Sequence, residues 1–171
     1  MRKLLTLIIL ILFVSCNSTK RIVFDTDVFW QDNLKIENLV EIEKKIGSND
    51  VSNESNTVGF GIHLYPNEMD FKLDKPKKFV RKPNDNLPLT VFYQFSDNGV
   101  NRLILYEWEA RNCNLKFIEI YNSLTTKFGE PIENETTESG THSIKWKSKS
   151  GLNAYIVYFT PSLIRLSLYK E

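Results

Sequence analysis

Apolar positions along this chain recur with two different periods, and the periods change in the same order twice. Between residues 36 and 46, Ile36, Leu39, Ile42 and Ile46 recur at steps of three and four, the spacing of one helix face. Gly47 follows as a stop, and Lys44 and Lys45 put positive charge in the last turn, where it suits the helix dipole. Asp32 or Asn33 is placed to cap this helix, with Phe29 and Trp30 before it as a staple to the core. A second stripe runs through Phe117, Ile120, Tyr121, Leu124 and Phe128 and ends at Gly129 and Pro131.

Strand patterns follow each helix. "PLTVFYQFSDNG" and "VNRLILYEW" read as a hairpin turning at Asp97-Asn98-Gly99, and "LNAYIVYFTPS" and "LIRLSLYKE" as one turning at Pro161-Ser162. A shorter strand precedes each pair: "VGFGIHLY" (58–65) and "HSIKWKS" (142–148), the latter with Ile144 and Trp146 on one side. "RLILY" (102–106) nearly recurs as "RLSLY" (165–169), and Ile36, Glu37, Lys45 and Gly47 match Ile118, Glu119, Lys127 and Gly129 at an offset of 82. The expected architecture is therefore α+β: a tandem duplication of a helix–β–β–β unit, a mainly antiparallel sheet, and helices packed on one face. The first unit spans 31–110 and the second 111–171.

The first unit carries an inserted loop, 66–88, with four prolines and a basic knot of Lys75, Lys77, Lys78, Arg81 and Lys82. It reads either as a solvated loop, its charge blunted by Asp74 and Asp85, or as a contact for anionic lipid headgroups.

The N-terminus changes the picture. Arg2 and Lys3 precede an apolar run from Leu4 to Val14, too short to span a bilayer as a helix but suited to a signal peptide over 1–15. Phe13-Val14-Ser15-Cys16 resembles the lipobox of bacterial lipoproteins, although that family usually has Leu where Phe13 stands. The resemblance implies a diacylglycerol on Cys16, a mature chain beginning there, and a tether over 16–30. Loss of Arg2 and Lys3 leaves the mature chain at a formal charge of −1, with 20 basic and 21 acidic residues, which argues against nucleic acid as a partner. Asn17-Ser18-Thr19-Lys20 holds no acidic cluster of the kind that marks surface export in some lipoproteins. The expected location is the bacterial cell envelope, lipid-anchored and periplasm-facing at the outer membrane.

Candidate chemistry is sparse. His63 and His142 have no Cys, Asp or Glu at metal-ligand spacing, and no nucleophile elbow or phosphate loop occurs. With Cys16 assigned to lipid, Cys113 is left alone and reads as a small packing residue. Glu107 and Glu109 share one side of a strand and read as its solvated end. No metal, cofactor or catalytic residue is expected. The candidate binding residues are Arg102, Tyr106, Trp108, Arg165 and Tyr169, hot-spot residue types that share an exposed sheet face if the helices cover the leucine face. The helix-plus-sheet order is similar to the secreted β-lactamase inhibitory protein family and to small outer-membrane assembly lipoproteins. That likeness implies a non-enzymatic module that docks a protein partner through a sheet face. The alternative is a small-ligand carrier or enzyme with a pocket between sheet and helices.

Overall fold

Both helices and both hairpins form where the periodicity predicts them. The computed structural model describes residues 21–25, 27–53, 76–81 and 87–170. The signal peptide over 1–15, Cys16, the strand expected at 58–65 with His63, and Lys75 and Lys82 lie outside the described residues. A short hairpin, β1 (Ile22–Val23) and β2 (Phe29–Trp30), comes first. Helix α1 (Ile36–Lys45) leads into β3 (Asn49–Asp50), β4 (Lys77–Arg81), β5 (Leu89–Phe95) and β6 (Asn101–Glu109). Helix α2 (Asn114–Phe128) leads into β7 (Glu133–Thr136), β8 (Thr141–Lys147), β9 (Leu152–Phe159) and β10 (Leu163–Lys170).

The strands β3 to β10 make one eight-stranded sheet in the order β3-β4-β5-β6-β10-β9-β8-β7, with every pair antiparallel. The protein is thus α+β with a mainly antiparallel sheet. The order runs inward from each edge in the same sense: a helix, then strands ending beside the centre, where β6 meets β10. Among the described residues each helix is followed by four strands rather than the three expected. The extra ones are the edges. β3 has only two residues, and the four of β7 (Glu133 to Thr136) are all exposed, so neither carries apolar alternation.

The counterpart of β8 in the first half is β4, which lies inside the stretch expected to be loop 66–88. It was missed because three of its five residues are basic. Phe79 and Arg81 are buried on the helix side, and Arg81 is neutralised there rather than solvated. Its guanidinium donates to Glu43 of α1 from Nε at 3.1 Å and from Nη2 at 2.7 Å, to the Tyr93 hydroxyl at 3.1 Å, and to the Asp27 carbonyl. Tyr93 and Ser48 also donate to Glu43, which is fully buried. A buried ion pair persists only when its remaining hydrogen-bonding capacity is filled, as it is here.

The helix-side core explains the stripes. Leu39 of α1 and Ile120 and Leu124 of α2 pack in one cluster with Val91, Ile104, Tyr106, Trp108, Trp146, Ile156 and Leu166 from the sheet. Full burial of one such aliphatic side chain is worth about 1.5–3 kcal/mol. Phe117, Tyr121 and Phe128 pack against the same cluster, so the second stripe is realised in full. In the first, Ile46 lies beyond the helix and is half-exposed. The helix N-cap is Lys35 with no side-chain cap bond. Asp32 is engaged elsewhere and Asn33 has a left-handed φ of 56°, so neither caps it.

The expected tether over 16–30 is also corrected for the part described. Phe24, Val28, Phe29 and Trp30 are buried, and the Tyr106 hydroxyl donates to the Phe29 carbonyl at 2.8 Å while accepting from its N–H at 3.1 Å. Residues 21–25 and 27–30 are part of the fold.

Candidate functional site

Strand register decides which side chains share a face. In the central pair, Tyr106 lies opposite Leu166 and Ile104 opposite Leu168. Face-sharing residues of β6 and β10 are therefore both even or both odd in number. Arg102 and Arg165 fall on opposite faces, as do Tyr106 and Tyr169. The five binding candidates are not one surface.

Tyr106 and Trp108 belong to the helix-side core, where their rings stack at 5.9 Å, and they are 0% and 1% exposed. The helices cover the face that holds them, together with Leu166 and Leu168 of β10, while Leu103 and Leu105 of β6 lie on the other face. Tyr169 is on the second face, yet it is 1% exposed in a smaller cluster with Phe92, Leu103 and Leu105, against which Tyr155 packs. Two of the five remain accessible. Arg165 is half-buried on the second face and donates from Nε to Glu107 at 2.7 Å, with its guanidinium 6.0 Å from the Phe159 ring centre. Arg102 is exposed at the start of β6.

Around Arg165 the second face is half-open. Tyr155, Phe159 and Leu163 are each partly exposed there, and Tyr155 shares a hydrogen bond of 2.7 Å with Ser143 of β8. Lys145 of β8 pairs with Glu133 of β7 at 3.7 Å. This patch, two aromatic rings beside one ion pair, is what survives of the expected docking face.

Around Arg102 lies a polar cleft of about 140 Å³, lined by Trp30, Asp32, Asn33, Asn101, Arg102 and Lys170. Asp32 accepts from Trp30 Nε1 at 2.8 Å and from Lys170 Nζ at 2.8 Å. Partial burial pushes the Asp32 carboxyl up, but these two bonds and the Lys170 charge outweigh it and hold the carboxyl below its usual range. Arg102 has no hydrogen-bond or ion-pair partner among the described residues. No sequence pattern marks the cleft, because its walls come from the N-terminal segment, the start of β6 and the end of β10.

The other candidates resolve simply. Cys113 is buried, with Sγ 3.3 Å from the Ser162 carbonyl, and burial pushes its thiol up. His142 lies 5.6 Å from Phe117 and 5.9 Å from Tyr158 in an aromatic stack and contacts Thr136 Oγ1 at 3.1 Å. Glu107 is the partner of Arg165, and Glu109 is exposed at the strand end. Among the described residues no helix is long and apolar enough to cross a membrane. Comparison with protein-family models, with curated proteins and with solved structures returned no match.

Proposed function

We propose that this chain is a bacterial envelope lipoprotein, anchored by diacylglycerol on Cys16 and facing the periplasm at the outer membrane. In this reading it acts without catalysis, docking a protein partner through the sheet face away from the helices. The observation that carries the docking reading is the half-open patch of Tyr155, Phe159, Leu163 and Arg165 with Glu107. It lies on β9, β10 and β6, strands held by neighbours on both sides, so its shape is fixed before a partner arrives. Aromatic rings beside an arginine are the composition of binding hot spots. The space between sheet and helices is filled by Tyr106, Trp108, Trp146 and Leu124, which weighs against a carrier with a pocket there.

We also infer that the two halves arose by duplication. Support comes from the matched order of helix and strands on either side of the centre. The letters "RLILY" and "RLSLY" give no support, since their equivalent positions face opposite ways.

The test is retention from solubilised envelope of the native host. Wild type is compared with Phe159→Ala plus Arg165→Glu, after circular dichroism shows the variant folded. The expected result is a protein retained by wild type and lost by the variant. Equal retention by both removes this face from consideration. Palmitate labelling of wild type against Cys16→Ser tests the anchor separately.

A further inference from the structure

The cleft beside Trp30 brings two cations together and supplies one anion. Register in the central pair runs to Tyr169 opposite Leu103, so one step further sets Lys170 opposite Arg102. Like charges directly opposite on neighbouring strands destabilise a sheet unless a counter-ion lies between them. Asp32 answers Lys170, with one carboxylate oxygen on Lys170 and the other on Trp30. Arg102 is left exposed with no partner among the described residues. Lys170 uses one donor on Asp32 and keeps two more, and Arg102 offers a planar fork of five.

From this geometry we propose that the cleft binds a phosphate-type oxyanion between Arg102 and Lys170. The cleft is small, about 140 Å³, and its lining presents one guanidinium and one ammonium, which suits a compact anionic group. A guanidinium fork matches two oxygens of phosphate, while an ammonium adds a point charge. Trp30 supplies an apolar wall.

The oxyanion has two sources, a free phosphate or a lipid headgroup. The chain path favours the second, on the reading that Cys16 carries lipid. Ile22 pairs with Trp30, so Arg21 lies next to the cleft wall, and the five steps of chain from Cys16 to Arg21 span at most about 18 Å.

The experiment is the rate at which phenylglyoxal modifies Arg102 in the mature protein, read by peptide mass spectrometry. The protein is held in neutral maltoside micelles, in the same micelles with inorganic phosphate, or in phosphatidylglycerol nanodiscs. Arg111, exposed after β6, is the internal control. With the ligand at about ten times its dissociation constant, Arg102 labelling slows about tenfold relative to Arg111. In Lys170→Gln the protection is lost while labelling itself continues. Protection by phosphate alone supports the site with a soluble ligand; protection in nanodiscs supports it with a headgroup. Equal rates in all three media overturn the proposal. The mass of the N-terminal peptide reports lipid on Cys16 independently, so a failed anchor leaves the phosphate arm to judge the cleft.

Discussion

Replacing Arg81 by Met should be among the most damaging single changes to this protein, and the geometry sets the scale. The Glu43 carboxylate is fully buried and accepts from four donors: Arg81 Nε and Nη2, Ser48 Oγ at 2.5 Å, and the Tyr93 hydroxyl. Methionine keeps most of the arginine's volume but removes two of those four and the charge of the one ion-pair partner Glu43 has among the described residues. The Asp27 carbonyl loses its donor as well. Removing one member of a buried pair costs about 3–5 kcal/mol, because the other charge stays behind uncompensated. At about 2–4 °C per kcal/mol for a domain of this size, Tm falls by about 6–20 °C. The assay is urea unfolding followed by circular dichroism, on wild type, Arg81→Met, Glu43→Leu and the double variant. The double variant should be no less stable than Arg81→Met, since the stranded carboxylate is gone and only neutral partners remain unpaired. The reasoning is refuted if Arg81→Met lies within about 1 kcal/mol of wild type, or if the two single losses simply add.

Three further outcomes follow from burial. Burial pushes Tyr106 up to about 12 and Tyr93 well above 10; the bond and charge of Asp25 raise Lys116 although burial pulls it down. A group whose proton is held more tightly in the folded state stabilises it fully below its unfolded value and loses that contribution as pH rises through the folded one. Urea stability should therefore be level up to about pH 10 and fall between about 10 and 12, with Tyr106 contributing about 2–3 kcal/mol; level stability to pH 12 contradicts this. On α2, Leu124→Ala should cost about 2–5 kcal/mol and Leu115→Ala less than about 0.5, because Leu124 is fully buried and Leu115 is 84% exposed; equal costs would mean the helix presents a different face. Cys113 should resist Ellman's reagent in the native protein and react once urea unfolds it, and prompt native reaction would contradict its burial.

Much of the fold was legible wherever one face of an element is wet. The stripe in α2 and the alternation in β8 survive intact, because each has a solvated side to contrast with the buried one. Legibility fails where burial is two-sided. In β6, Leu103, Ile104, Leu105 and Tyr106 are all buried, so the letters alone do not say which set faces the helices. The periodicity puts Leu103 and Leu105 on the helix side with Leu166 and Leu168 of β10, and the register keeps only the β10 pair there. The same weakness undid the repeated letters. At an offset of 82 Ile36 matches Ile118, yet Ile118 is half-exposed, whereas burial matches Leu39 and Glu43 with Ile120 and Leu124, an offset of 81. Identity in apolar runs reflects shared propensity, and a shift of one residue rotates or flips every side chain. β4 failed for the opposite reason. A buried Arg81 looks in sequence like a surface charge, and only its long-range partner Glu43 makes it a core residue.

The N-terminal segment has the widest reach for its length. Phe24 packs edge-on to Phe128 of α2 at 5.1 Å, and Asp25 pairs with Lys116 of the same helix at 2.6 Å. The Asp27 carbonyl accepts from Arg81 of β4, the Phe29 backbone is held by Tyr106 of β6, and Asp32 pairs with Lys170 of β10. Residues 24–32 thus join both halves of the molecule. A hairpin with two-residue strands is not stable alone, so these contacts hold it rather than its own ladder. That has a consequence for a chain anchored at Cys16. A lipid tether usually leaves a domain free to tumble, but if Cys16 carries lipid as proposed, only four residues lie between it and Arg21, and the next segment is fixed to α2, β4, β6 and β10. On that proposal Arg21 would lie within about 18 Å of chain from the lipidated residue.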